Sequence, residues 1–426
     1  MKVARENGVK WKRLQAADKS KRLVVFDIEG VLIPKNRFIF DVGRSLGFLQ
    51  LLKMLVIGFL YSAGVLELKS ALKQIFKIMQ GVKVETLMEI FEDIPSKPQL
   101  QSLFTQLKLR GFKIALISSG IPTVIVERMA NTLGADYAVG IEVGVNADAL
   151  TGEIWGDVIE ANGKLTVLTR ILYAEKLKLQ DCVVVADDRN NSCIFLSGMQ
   201  RIGYNPDFWL RVKADTVVTG KLVKILPVID GAPKQWSPPS KNDLLREGIH
   251  ASGFFVPIIA SSVGVFPVTL AIVLVSLVYA VSELGRMNRR HLPVVSAITR
   301  NAASPTELYE FTAAPLYFAA GILLTLLLFP APVNGAAIAI FTLGDSTASL
   351  AGGLISKKPL SFNKGKTLEG SLVGFVFAFL AGTFFVSPML ALIGAAVAML
   401  IESLPLPVND NITIPLCTAL ALMIIV

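Results

Sequence analysis

Three cysteines are spread through 426 residues, and none is spaced to pair with another or to share a metal. That usage suits a reduced compartment. The chain begins MKVARENGVKWKRLQAADKSKR, which is basic but lacks the apolar core of a signal peptide. Its charge is either solvated or drawn to anionic lipid. Tryptophan is absent after Trp236, and charged residues become sparse after His250. Long apolar runs take their place. One soluble enzyme cannot absorb that much apolar surface, so composition divides the chain into a soluble domain followed by a membrane domain. No internal repeat of the kind many transporters carry is visible across the apolar runs.

The membrane half is organised around residues 343–371, LGDSTASLAGGLISKKPLSFNKGKTLEGS. Asp345 lies inside an apolar run, where an ionisable group is expensive and marks a functional site. Small residues follow, then a basic loop with Lys357, Lys358, Lys364 and Lys366, then Glu369, Gly370 and Ser371. An acid can hold a cation while lysines hold phosphate oxygens, the pairing a metal–nucleotide site needs.

In the soluble half, residues 23–28 (LVVFDI) read as a buried strand with Asp27 at its carboxyl end, followed by Glu29 and Gly30 in a tight turn. Residues 112–118 (FKIALIS) read as a second strand ending in Ser118, Ser119 and Gly120. Pro122 then starts a helix over 123–133, an anion-binding helix start. Lys164 opens a helix over 165–177, and a third strand (182–186, CVVVA) ends in Asp187 and Asp188, with Asn190 and Asn191 just beyond. An acid at a strand tip of a parallel sheet sits where such folds place their chemistry. Asp27 can attack phosphorus and Asp187 can hold Mg²⁺, while Ser118 and Lys164 hold the phosphoryl oxygens.

These four stretches resemble the motifs of the haloacid-dehalogenase-like phosphatases, phosphoserine phosphatase branch, and the segment LTGEIWG (150–156) is similar to that branch's flap. The resemblance covers about 23–230. It implies an α/β doubly wound, Rossmann-like domain with a helical cap at about 34–98. It also implies a phosphorylated nucleophile at Asp27, a general acid/base at Glu29, phosphate ligands Ser118, Ser119 and Lys164, and Mg²⁺ held by Asp27, Asp187 and Asn191. The chain departs from the family in having Glu29 where Asp is usual, and Asn191 where a carboxylate is usual. Within the cap region, residues 46–66 are unusually apolar. They read as a buried cap helix, an interfacial helix or a span; a cap resting on lipid would suit a lipid-phosphate substrate.

A Pro- and Lys-rich linker (231–249) leads to an expected all-α polytopic domain (250–426) after the basic tail (1–22) and the phosphatase-like domain (23–230). Seven spans are expected, at 251–264, 266–284, 311–329, 333–354, 368–386, 388–403 and 411–426. With the soluble domain in the cytoplasm, that count puts both basic loops inside, as the positive-inside rule asks, and the C-terminus outside. The loop at 285–300 carries Arg286, Arg289, Arg290 and Arg300. Arg246, His250, Glu283, Arg286, Glu307, Asp345, Lys366, Glu369, Glu402, Asp410 and Asn411 then gather on one face of an archaeal or bacterial plasma membrane.

The stretch RxxxH (Arg246 to His250), with GDSTASLAGG, GKTLEGSLVG and the terminal DNITIPL, resembles the CTP-dependent polyprenol kinase family of dolichol, phytol and diacylglycerol kinases. The resemblance implies transfer of the CTP γ-phosphate to a long-chain alcohol. Asp345 would bind the metal–nucleotide, Lys364, Lys366 and Gly370 would line the phosphate path, and Asp410 and Asn411 would lie near the same site. CDP-diglyceride synthases share the GD and K-x-x-E-G elements, so cytidylyl transfer is the alternative. Their C-terminal histidine-containing cluster is absent, since the only histidines are His250 and His291. A transport or scaffold role is a third reading. The expected partners are membrane lipids and a nucleotide, with no nucleic acid.

Overall fold

The computed structural model describes residues 22–62, 64–96, 99–231, 239–287, 311–355 and 359–425. Residues 1–21 of the basic tail, Arg289, Arg290, Arg300, Glu307, Lys357 and Lys358 lie outside the described residues.

Continuous apolar runs with β-branched residues make strands that are covered on both faces. Seven strands form one sheet: β1 (Arg22–Phe26), β2 (Phe112–Pro122), β3 (Tyr137–Asn146), β4 (Ala149–Trp155), β5 (Cys182–Ala186), β6 (Gln200–Tyr204) and β7 (Thr216–Val218). Their order is β4-β3-β2-β1-β5-β6-β7. All pairs are parallel except β3 with β4. β1 is central, and its Phe26 pairs with Leu116 on one side and Val185 on the other. That register brings the residues after β1 and β5, and the last part of β2, to one edge.

Where a cap is expected, the chain forms four helices: α1 (Arg37–Ser45), α2 (Phe48–Ser62), α3 (Leu68–Ile78) and α4 (Val84–Glu92). Helices α5 (Leu100–Leu109), α6 (Thr123–Leu133) and α7 (Gly163–Glu175) flank the sheet, followed by α8 (Phe208–Lys213) and α9 (Ile225–Ile229). The apolar run at 46–66 is only partly a buried cap helix. Met54 and Ile57 of α2 are buried, but Phe48, Leu49, Leu52, Leu55, Val56 and Phe59 are exposed. Its 15 residues reach about 22 Å, short of a bilayer core.

The C-terminal half contains α10 (Lys241–Ser252), α11 (Phe255–Val263), α12 (Val265–Met287), α13 (Ala314–Leu328), α14 (Val333–Ile355), α15 (Leu368–Gly382), α16 (Pro388–Ser403) and α17 (Asp410–Ile425). Two of these are long and apolar enough to cross a membrane, Val265–Arg286 and Val333–Ile355. The first turns most of its apolar surface outward, whereas the second is the buried centre of the bundle. The expected first span at 251–264 is not one helix. Pro257 cannot donate to the carbonyl of Gly253, and that carbonyl instead accepts the Val256 N–H at 3.0 Å, closing a turn between α10 and α11. α14 and α15 approach almost backbone to backbone. A Cβ on Gly374 would lie 2.7 Å from both the Ala348 Cβ and the Gly344 carbonyl oxygen.

Candidate active site

Asp27 follows β1 directly, and its backbone N–H donates to the Val185 carbonyl at 3.0 Å. Its carboxylate is held from three sides. Oδ1 accepts from the Ile28 N–H at 2.9 Å and from Lys164 Nζ at 3.1 Å. Oδ2 accepts from the Asn191 amide. Lys164, in the first turn of α7, is 3% exposed and also donates to Asn191 Oδ1 at 2.7 Å. Burial works against its ammonium, but Asp27 and Asp188 outweigh that and raise its pKa.

Glu29 lies two residues after the nucleophile candidate, on a turn closed by Gly30 N–H to Ile33 O at 2.9 Å. Its Oε1 is buried without a hydrogen-bond partner. Burial first, then the charges of Asp27 and Asp188, push its carboxyl up to about 7. A carboxyl in that range can give or take a proton near neutrality. Gly30 has φ +80°, and a Cβ there would stand 2.2 Å from Asp187 Oδ2, so only glycine fits.

Asp27, Asp187 and Asp188 offer carboxylate oxygens within 4.8 Å of one another. Burial, with Asp188 and Asp27 adjacent, pushes Asp187 well above the usual carboxylate range against the pull of Lys35. Asp187 Oδ1 is buried without a hydrogen-bond partner. Converging carboxylates with an orphaned oxygen fit a hard divalent cation such as Mg²⁺. Lys35 Nζ reaches Asp187 at 2.9 Å and Asp188 at 3.1 Å from the cap side.

Two sequence expectations change here. Asn191, expected as a further metal ligand, does not turn its oxygen to the carboxylates: its amide nitrogen donates to Asp27 and Asp188, and its oxygen accepts from Lys164. Asp188 completes the carboxylate group instead, a role the adjacent pair of acids after β5 could have signalled. Ser118 Oγ accepts the N–H groups of Gly120 and Ile121, both at 3.2 Å, which leaves its own proton to donate. Ser119 Oγ donates to the Val158 carbonyl at 3.1 Å and so is not spent on phosphate. Lys35 was not anticipated.

Residues 24–190 match the family model of the haloacid dehalogenase-like hydrolases. Over those residues the N-terminal half is a haloacid dehalogenase-like domain. A phosphoserine phosphatase of Methanocaldococcus jannaschii is 26% identical over 201 residues, 47% of this chain and 93% of that protein. One of Archaeoglobus fulgidus is 28% identical over 198 residues, 46% of this chain and 56% of that protein. A solved structure titled as a phospho-aspartyl intermediate analogue of phosphoserine phosphatase is 25% identical, covers 49% of this chain and 99% of its own, and has a TM-score of 0.45.

A second polar cluster lies in the C-terminal half. Lys366 Nζ is 2.6 Å from Glu402 and 3.5 Å from both Asp345 and Asp410. Burial disfavours its charge, but Asp345, Glu402 and Asp410 prevail and raise its pKa. His250 Nε2 is 2.9 Å from Asn411 Oδ1 and 3.8 Å from Asp345. Glu247, absent from the expected site residues, is buried and accepts from Ser349 at 3.0 Å; its place one turn before His250 on α10 is the sequence signal for it. Arg246 pairs with Glu247.

Other expected members are elsewhere. An ammonium, rather than a gap between acids, stands beside Asp345, and among the described residues the three aspartates above are the one group of three or more such ligands within shared reach. Lys364 donates to the carbonyls of Ala214 and Asp215 in the N-terminal half, at 2.5 and 3.1 Å. The Gly370 N–H is taken by Thr367 Oγ1 at 3.2 Å, capping α15. Glu283 pairs with Arg286 and accepts from the Thr312 N–H at 2.8 Å. Glu369 sits in the first turn of α15.

Proposed function

We propose that the haloacid dehalogenase-like domain hydrolyses phosphate monoesters through a phosphorylated Asp27. The observation that carries this reading is the Asp27 carboxylate at the tip of the central strand, held by Lys164 and Asn191, with protonatable Glu29 two residues on. Asp27 attacks phosphorus and the ester P–O bond breaks as Glu29 gives its proton to the leaving alcohol oxygen. Glu29, now a carboxylate, takes a proton from the water that attacks the phospho-aspartyl group, releasing phosphate and restoring Asp27. Lys164 and Ser118 neutralise and orient the phosphoryl oxygens. Asp27, Asp187 and Asp188 would hold Mg²⁺, which supplies charge neutralisation when bound. The names of the relatives support a phosphomonoester as substrate. Magnesium-dependent release of p-nitrophenol from p-nitrophenyl phosphate, lost in Asp27→Asn, is the expected outcome; turnover undiminished in that variant refutes the reading.

A second reading concerns the helical half. It is supported by the convergence of Asp345, Lys366, Glu402, Asp410, His250 and Asn411 from five separate stretches of chain. On this reading the half is a multi-pass membrane domain with the soluble domain on the cytoplasmic side and the C-terminus outside. It moves the γ-phosphoryl group of CTP to a long-chain lipid alcohol, with CDP leaving. Asp345 holds the cation of the nucleotide and Lys366 meets its phosphate. Labelled CTP and a panel of prenols and diacylglycerols test it in the full-length protein. Label should reach a lipid alcohol in wild type and Asp27→Asn but not in Asp345→Asn. Formation of a CDP-lipid from a lipid phosphate would favour cytidylyl transfer instead, and solute flux without nucleotide would favour transport.

A further inference from the structure

A cavity of about 800 Å³ opens onto Asp27, Glu29, Ser118 and Lys164. That is near the upper end of the ~300–1,000 Å³ that encloses a drug-sized ligand. A small amino-acid ester would leave most of it empty.

The character of the walls identifies what fills it. Beyond the phosphate end, α2 contributes Leu51, Met54, Leu55 and Phe59, and the C-terminal half contributes Leu284 and Phe311. Leu55 is 50% exposed and Phe59 is 71% exposed, so their apolar surface stands open. Covering such surface is favourable. Leu284 belongs to the last turns of the apolar stretch Val265–Arg286, which is long enough to cross a membrane. The cavity therefore runs from the nucleophile candidate to the end of that helix.

Apart from Glu29, whose proton the hydrolysis uses, the charged groups lining the cavity are already engaged. Arg37 pairs with Asp41 at 2.6 Å, and Arg189 donates to the Tyr61 carbonyl at 2.8 Å while lying over the Tyr61 ring. Asp207 accepts the N–H groups of Arg189 and Leu210, at 2.8 and 2.9 Å. Lys35 lies between Asp187 and Asp188, and Lys164 holds Asp27. An amino-acid ester would need an acid for its ammonium and a base for its carboxylate, and the far wall supplies apolar side chains in their place.

We infer that the phosphatase site takes amphiphilic phosphate monoesters, with the phosphate at Asp27 and an apolar tail laid between α2 and the end of α12. This rests on the phosphatase reading above. Balance is that of any monoester hydrolysis: the P–O bond breaks, water supplies the new P–O bond, and the freed alcohol keeps the tail.

The test uses full-length protein in nanodiscs with Mg²⁺, releasing phosphate from butyl, octyl and dodecyl phosphate, phosphoserine and p-nitrophenyl phosphate. From butyl to octyl phosphate kcat/KM should rise about a hundredfold, since each buried methylene contributes up to about fourfold. Phosphoserine should be no better than butyl phosphate. Tail partitioning into the nanodisc could mimic a chain-length effect, so Leu55→Asn and Phe59→Asn are measured alongside. Both side chains are exposed, so the fold tolerates the change, and each should cut the octyl-to-butyl ratio about tenfold. Hydrolysis of p-nitrophenyl phosphate with no chain-length dependence, a preference for phosphoserine, or a ratio unmoved by both variants overturns this inference alone. Failure to hydrolyse any ester overturns it together with the phosphatase reading.

Discussion

Replacing Lys164 with methionine keeps the aliphatic stem and removes the charge beside the nucleophile candidate. At the observed 3.1 Å separation, the attraction between Lys164 and Asp27 is about 5 kcal/mol gross at an effective dielectric of about 20. Removing one partner of a buried pair commonly costs about 3–5 kcal/mol of stability. Here the loss should fall below that range, because Asp27 keeps the Ile28 N–H and the Asn191 amide. The catalytic loss should be larger in proportion. Deleting one preorganised donor to a developing charge lowers kcat by about 10²–10³, or about 2.7–4 kcal/mol. Three measurements on the full-length variant separate these effects: thermal unfolding, hydrolysis of p-nitrophenyl phosphate, and calorimetric Mg²⁺ binding. Metal affinity should hold or tighten, since a positive charge near the three aspartates is gone. A folded variant with kcat within about fivefold of wild type would refute the role given to Lys164.

Lys35→Ala removes a tethered cation from Asp187 and Asp188; because its side chain is 39% exposed, the gain is modest, and Mg²⁺ should bind about five- to tenfold more tightly by calorimetry. Gly30→Ala combines a left-handed backbone with a collision against Asp187 Oδ2, so it should weaken Mg²⁺ binding in the same assay; unchanged affinity would contradict the cradle described for Gly30. Glu29 in the metal-free protein should titrate near pH 7, followed by its carboxyl ¹³C shift. It should be protonated below that midpoint and charged above it, and the midpoint should fall on adding Mg²⁺, which offsets the charges of Asp27 and Asp188. A midpoint near 4.5 in the absence of metal would count against that environment.

Much of the N-terminal half was legible because β1, β5 and the first part of β2 are largely apolar runs that lead into a polar residue. The run at 182–186 and the helix at 123–133 coincide with β5 and α6, and Asp27, Ser118, Lys164 and Asp187 come together at one edge of the sheet. The identity of the last acid was not legible. Asp188 and Asn191 are both three-dimensional neighbours of Asp27, and only their hydrogen bonds show which amide bridges and which carboxylate converges. In the helical half, hydropathy located the apolar segments, but the break before α11 depended on the proline four residues beyond Gly253. Nor could sequence separate Lys364 from Lys366, two residues apart in one loop. One reaches back to the soluble half and the other meets three carboxylates. The exposure of one face of α2 was likewise hidden, since an apolar run reads the same whether neighbours cover one face or two.

Trapping of the covalent intermediate bears most directly on the account. Full-length protein with Mg²⁺ is mixed with ³²P-labelled p-nitrophenyl phosphate, quenched in acid and digested for mass spectrometry. A label that survives acid, is released by hydroxylamine, maps to Asp27 and disappears in Asp27→Asn is the predicted result. Hydrolysis that proceeds with no covalent label, or with the label on another residue, would contradict it.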